Sequence, residues 1–399
     1  VLDSSGVVVP SPERCSNKRV VCHRPSARSM AALIAAKTEL VLIDYDDLVH
    51  AKNDADTAQK IKFAFGKDGL GVLAVTNVPQ ELRDQRLRLL GIARRLGTLP
   101  EETLAKYENP DLHYCAGWSR GREKFKGKVD TAKGSWYANG LHEDAANGDA
   151  DLKARYPEST TEPAWPDAEV GDDMRGAFRS FSRSLYDLSR HVLRHCDAAV
   201  ASAVAAEGFA SDAKRLTAVT HERSRLHVGR LLHYYPRDDA PSGDDAAWCG
   251  WHNDNSVITA LAPAIYFDDA TGARVGAPAG AGLLAFSRSG AKVRVGAPPE
   301  GSILFQIGEA AQILSGGTLV ATPHAVAAGD MARVSRESFA LFVEPDWDEA
   351  MQVPTGCSLD AVLAPDDARA DIIPPMRSRL TEVPVAFAKF LTDSIAQYY

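Results

Sequence analysis

The chain has 399 residues, 45% hydrophobic and 25% charged, which excludes wholesale disorder and leaves room for two or three domains or for one barrel enlarged by helices. A net charge of -8 and a pI near 5.8 make it a poor binder of polyanions, so nucleic acid is not an expected partner. No run approaches the roughly 18 apolar residues of a membrane span, and six widely spaced cysteines suggest free thiols in a reducing, cytoplasmic compartment, without a disulfide framework.

In chain order, residues 1–38 form a basic tail, with Arg14, Lys18, Arg19, Arg24, Arg28 and Lys37 set against Glu13. That composition is compatible with an organelle transit peptide and equally with a solvated extension. Residues 39–215 read as an α/β and helical region packed on the core. Leu40-Val41-Leu42-Ile43 and Val72-Leu73-Ala74-Val75 are short apolar runs with strand character, and Asp54 to Lys67 is helical. Pro79 opens a second helix with Leu82, Leu89, Leu90, Ala93 and Leu96 on one side and Gly97 at its end. Residues 100–170 look irregular, a covering segment. Met174, Phe178, Phe181, Leu185, Leu188, Val192, Cys196, Val200 and Val204 then recur at steps of three and four, a stripe that fits a long helix buttressing a sheet.

Residues 216–350 change character. Val228–Tyr235, Ser256–Tyr266, Gly282–Phe286, Val293–Val295, Ile303–Ile307, Ala311–Leu314, Leu319–Thr322 and Ser338–Phe342 are short apolar runs between turn residues, as in a closed barrel or a double-sheet jelly roll. Residues 351–399 form a C-terminal extension, ending in an amphipathic helix with Phe387, Leu391, Ile395 and Tyr398 in line.

One constellation stands out for chemistry. Trp251-His252-Asn253-Asp254 places His252 and Asp254 on one face of an extended segment. With His324, from a distant strand, they make a facial triad that leaves coordination positions open on Fe(II), although zinc accepts the same ligands. Arg336 and Ser338 share a strand face farther on, and a guanidinium fork with a hydroxyl beside it suits a carboxylate. A hydrolytic zinc site has no use for that anchor. An iron oxygenase does, when its co-substrate is a dicarboxylate. Tyr235 is a further candidate donor, and Arg333 is the fallback for Arg336.

These motifs, with Leu231–Pro236, Gly308-Glu309 leading to Gly316-Gly317, and the early Ile43-Asp44 and Gly71–Asn77 segments, resemble the isopenicillin N synthase-like branch of the 2-oxoglutarate and Fe(II)-dependent oxygenases. The resemblance covers roughly residues 40–347. It implies an α+β chain built on a double-stranded β-helix. It also implies iron on His252, Asp254 and His324, 2-oxoglutarate on Arg336, Ser338 and Tyr235, and O2 as oxidant. Two departures are His233, where relatives often carry Asn, and a long His324–Arg336 spacing. The expected activity is oxidation of a small organic molecule by a monomer. Rival readings are an iron oxidase that uses ascorbate or the substrate as reductant, and a non-catalytic small-molecule-binding barrel.

Other signals are weaker. Trp251, Tyr137, Trp136 and Phe286 are candidate pocket walls. Cys249 has the wrong alternation to join the ligands and reads as a spectator thiol. His221, His227 and His233 look like strand positions and not a second metal site. Gly280–Ala285 resembles a dinucleotide fingerprint without the helix that fingerprint needs, and Asp238, Asp239, Asp244 and Asp245 read as a solvated loop.

Overall fold

Asp44 both ends the first strand and caps the helix after it. It closes β1 (Val41–Asp44), and its carboxylate accepts from Asp46 N at 2.9 Å at the start of the helix Tyr45–His50. The chain continues through α1 (Asp54–Phe65) to β2 (Val72–Thr76), which pairs with β1 in parallel, and then to α2 (Gln80–Gly97). The computed structural model describes residues 40–52, 54–125, 128–206, 214–238, 247–330, 332–380 and 382–397. The basic tail with its targeting reading, and Tyr398, lie outside the described residues. Those described belong to one unit, Lys37–Tyr399.

Residues 100–170, expected to be irregular, contribute two strands to the main sheet, β3 (Gly117–Arg120) and β4 (Lys133–Asn139). Glycine hid them from periodicity. Gly134 is required because a Cβ there would lie 2.2 Å from the Trp118 ring. Next comes α3 (Met174–Ala206), with all nine residues of the predicted stripe buried. Its Phe178 and Phe181 rest on the Phe339 ring at 5.1 and 5.6 Å between centroids.

The other strands of the two main sheets are β5 (His227–Tyr234), β6 (Ala247–His252), β7 (Ile258–Asp268), β8 (Ala281–Phe286), β9 (Lys292–Arg294), β10 (Ile303–Ile307), β11 (His324–Ala328) and β12 (Val334–Val343). They form two sheets. The large one runs β1-β2-β10-β7-β12-β5-β4-β3, antiparallel after its first pair, with a short strand Arg274–Val275 beside β7. The small one runs β9-β8-β11-β6, antiparallel throughout. The sheets pack through Leu232, Tyr234, Trp248, Cys249 and Val326 at one end and Val72, Ala74, Ala285 and Leu304 at the other. This is the two-sheet, mostly antiparallel layout of a jelly roll.

Two expected strands are absent. Ala311–Leu314 lies inside a buried helix, α4 (Glu309–Leu314), because a short, wholly apolar run carries no period that separates strand from helix. Leu319–Thr322 is extended without a ladder. The C-terminal extension holds α5 (Leu359–Asp367) and α6 (Phe387–Ile395). Among the described residues no helix is long and apolar enough to cross a membrane, and Cys115, Cys196, Cys249 and Cys357 are free thiols. Phe339, with no exposure and two aromatic neighbours from α3, anchors helix to sheet. Phe339→Ala is expected to cost about 3–5 kcal/mol in urea unfolding.

Candidate metal centre

β6 and β11 deliver the histidines. His252 ends β6 and pairs with His324, which opens β11. Two residues beyond His324, Val326 opposes Cys249, three residues before His252, so β6 carries one extra residue, a β-bulge. The bulge overturns the alternation argument for Cys249, which shares a side with His252, its Sγ 3.9 Å from Nδ1. The thiol still meets the edge of the ring that faces away from the ligand cluster.

Asp254 brings the triad together. Its Oδ1 lies 3.8 Å from His252 Nε2 and 3.7 Å from His324 Nε2. The three donor atoms fall within 4.8 Å of one another, and no other such group exists among the described residues. Asp254 Oδ2 is buried without a hydrogen-bond partner, a costly state that a cation would relieve. Nδ1 of His252 faces Gly250 O at 2.8 Å and Nδ1 of His324 faces Thr322 O at 3.2 Å, so in the neutral rings each Nδ1 carries the proton and each Nε2 a lone pair. The Gln306 amide also meets His324 Nδ1. An N–H there needs an acceptor, so the amide oxygen is the atom that pairs with it. Burial lowers both imidazoles. At His252 the Cys249 sulfur and Asp254 outweigh it and hold the ring at about 9, whereas His324, beside that ring, is pushed down to about 4.

Behind the ligands lies a buried polar frame. Asn253, between the two ligands on its own segment, donates to Glu309 Oε1 at 3.0 Å and to Asp366 Oδ1 at 3.2 Å. Glu309 is gripped by both arms of Arg379 at 2.6 and 2.7 Å, and its N–H donates to Asp254 O at 2.8 Å. Gln312 bridges Asp366 to Ala321, just upstream of His324. Burial and Glu309 push Asp366 up to about 8.

On the large sheet, Lys133, Tyr234, Arg336 and Tyr266 face one another across β4, β5, β12 and β7. The Arg336 guanidinium sits 4.6 Å over the Tyr234 ring and donates to Ser338 Oγ at 3.1 Å, with Tyr234 and Tyr266 on the strands to either side. Tyr235 is not part of this group. It lies past the end of β5 and turns the other way, its ring 4.6 Å from His233 and stacked under Arg120 at 3.7 Å. Tyr234 and Tyr266 take its place. Arg333, the fallback for Arg336, is exposed in a turn, with φ +57.

The pocket-wall candidates divide. Tyr137 lies on the lumen face and donates to Glu123 Oε1 at 3.0 Å. Trp136, fully buried on the opposite face against Trp165, is a core residue. Trp251 and Phe286 pack against each other with tilted rings, 4.4 Å between centroids. His233 also belongs to the helix side, paired with Glu337 at 2.9 Å. The sequence reading missed a lumen cluster in which Glu123 receives Lys133 at 3.0 Å, Arg230 and Tyr137. Burial opposes its ionisation, but Arg230 and Lys133 win and hold it at about 2. Reading Lys133-Gly134-Ser135-Trp136-Tyr137 as a strand would have placed Lys133, Ser135 and Tyr137 on one face.

The chain matches no family model and no curated protein sequence. Its fold matches solved structures. A protein of Caulobacter crescentus assigned to the 2OG-Fe(II) oxygenase family superposes with a TM-score of 0.64 at 20% identity, over 90% of this chain and 99% of that one. A full-length Neurospora crassa protein, solved with alpha-KG and 5-formyluracil, gives 0.59 at 18% identity over 90% and 96%. JOX2, solved with 2OG, Fe and JA, gives 0.57 at 17% identity over 91% and 90%. At these identities the likeness is one of fold, and the fold is that of 2OG-Fe(II) oxygenase structures.

Removing Arg379 would strand Glu309 as an unpaired buried charge. Arg379→Met is expected to cost about 3–5 kcal/mol in chemical unfolding, more than the double variant Arg379→Met/Glu309→Leu. Glu344 gives a pH signature. Burial, and to a lesser extent Asp254, push its carboxyl up to about 8, and its Oε2 has no partner. The folded state then binds a proton that the unfolded state has released, so stability falls as pH rises from the ordinary carboxylate range to about 8. Glu344→Gln is expected to flatten that part of the stability–pH curve and to exceed the parent at pH 8 and above.

Proposed function

We propose that this chain is a 2-oxoglutarate- and Fe(II)-dependent oxygenase that oxidises a small organic molecule. The observation that carries the reading is the convergence of His252 Nε2 and His324 Nε2 on Asp254 Oδ1, beside a buried carboxylate oxygen that has no partner. Two imidazoles and one carboxylate on one side of an ion suit ferrous iron and leave sites for a chelating co-substrate and for O2. When bound, iron with 2-oxoglutarate and O2 supplies oxidative decarboxylation of the co-substrate coupled to oxidation of the second substrate.

The protein's own share is orientation and electrostatics. His252, Asp254 and His324 hold the ion, with both imidazoles fixed in the Nδ1–H tautomer by Gly250 and Thr322. Arg336 and Ser338 take the distal carboxylate of 2-oxoglutarate, and the guanidinium is flanked by Tyr234, whose ring lies 4.6 Å beneath it, and Tyr266. Alpha-KG is present in the Neurospora structure and 2OG with Fe in JOX2, which supports this pairing of ion and co-substrate. In this reading a single chain acts on a diffusing small molecule.

The test is direct. Anaerobic addition of Fe(II) and 2-oxoglutarate is expected to give a visible charge-transfer band, followed on aeration by slow decarboxylation. His252→Ala and His324→Ala should abolish both. Arg336→Gln should keep metal binding and raise the half-saturating 2-oxoglutarate concentration about 10–100-fold, the worth of a charge-assisted fork. A band that forms equally well in Arg336→Gln would remove 2-oxoglutarate from the assignment.

A further inference from the structure

The outward side of the small sheet carries a second charged concavity. A cavity of about 100 Å³ opens there, lined by Phe286, Ser287, Arg288, Pro323, Pro365 and Arg369. Arg288 follows the end of β8 and Arg369 follows α5, so the cavity exists only where the C-terminal extension meets the sheet. By strand alternation Phe286 turns away from Ala285, which is the residue that pairs with His324. The cavity is therefore distinct from the metal face, although Pro323 adjoins His324.

Both guanidiniums lack counter-charges. Arg288 donates to the carbonyls of Val320 at 2.8 Å and Ala321 at 3.1 Å, and its Nε is buried with no partner. Arg369 lies 5.5 Å over the Phe286 ring and reaches only carbonyls, those of Ala368 at 3.1 Å and Ser287 at 3.4 Å. Among the described residues neither has a carboxylate at ion-pair distance. The acids that act on Arg288 from farther away are Asp366 and Asp68, and Arg369 opposes them. Asp366 is turned toward Asn253 and Gln312. Burial presses Arg288 down to about 10, a sign that its charge is poorly compensated. Two like charges against an apolar wall are costly to hold without an anion.

We infer that this cavity binds a small oxyanion, a phosphate or a carboxylate group, between Arg288 and Arg369. Planar guanidinium forks match both chemistries. The volume suits such a group, since a water molecule takes about 30 Å³ of liquid.

Calorimetric titration of the full chain with inorganic phosphate and, separately, with acetate tests this at constant ionic strength. Saturable one-site binding of at least one anion in the millimolar range or tighter is expected, and the anion that binds identifies the source chemistry. Arg369→Gln, at a partly exposed position, should weaken it about tenfold, the worth of one charge-assisted pair, and Arg288→Gln should abolish it. Carrying out the same titrations in an Arg336→Gln background excludes the lumen guanidinium as the site of binding. No saturable binding of either anion would overturn the inference. So would parent-like binding in Arg369→Gln, a result that stands even if Arg288→Gln fails to fold.

Discussion

The ion pair between Arg379 and Glu309 is the interaction on which the rest of the site depends. Both side chains are almost wholly excluded from water, 3% and 0% exposed, and each arm of the guanidinium meets a carboxylate oxygen. Such a pair contributes little net stability compared with an apolar replacement, but it is severe on alternatives, because any shift of one partner strands the other charge. Asn253 hangs from the same carboxylate, and the backbone of Glu309 holds Asp254 O. The segment that carries two of the three candidate ligands is thus pinned on its blind side, which leaves its front side free for a metal ion.

The large sheet separates two kinds of polar burial. On its helix face, His233, Glu337, Ser335 and Arg94 form a connected chain of hydrogen bonds, and Gly97 admits the His233 ring where a Cβ would lie 2.2 Å from it. That group joins α2 to the sheet. On the lumen face, Arg336 is stacked and steadied while its Nε stays without a partner. The same sheet thus places one set of charges between its layers and leaves another turned into the lumen.

What could be read from the sequence is what local pattern encodes. The α3 stripe, the His252/Asp254 pair and the Arg336/Ser338 pair rest on simple periods of 3.6 and 2, and those residues share faces as the periods require. The misreadings have the opposite cause. Cys249 was assigned by alternation across a segment where a bulge breaks alternation. Tyr235 was chosen over Tyr234 because one residue decides the face, and the strand ends between them. β3 and β4 went unread because glycine stands where Trp118 must pack. Arg379 left no local trace, since its value comes from a partner far away in the chain.

The position of Arg379 along the polypeptide has a consequence for the order of assembly. Every candidate ligand is synthesised before the residue that braces two of them. A nascent chain that already contains both histidines and the aspartate still lacks the clamp behind them, so the brace on the ligand segment is complete only once residue 379 has been made. During translation the half-made protein does not yet present the candidate ligands in their braced arrangement.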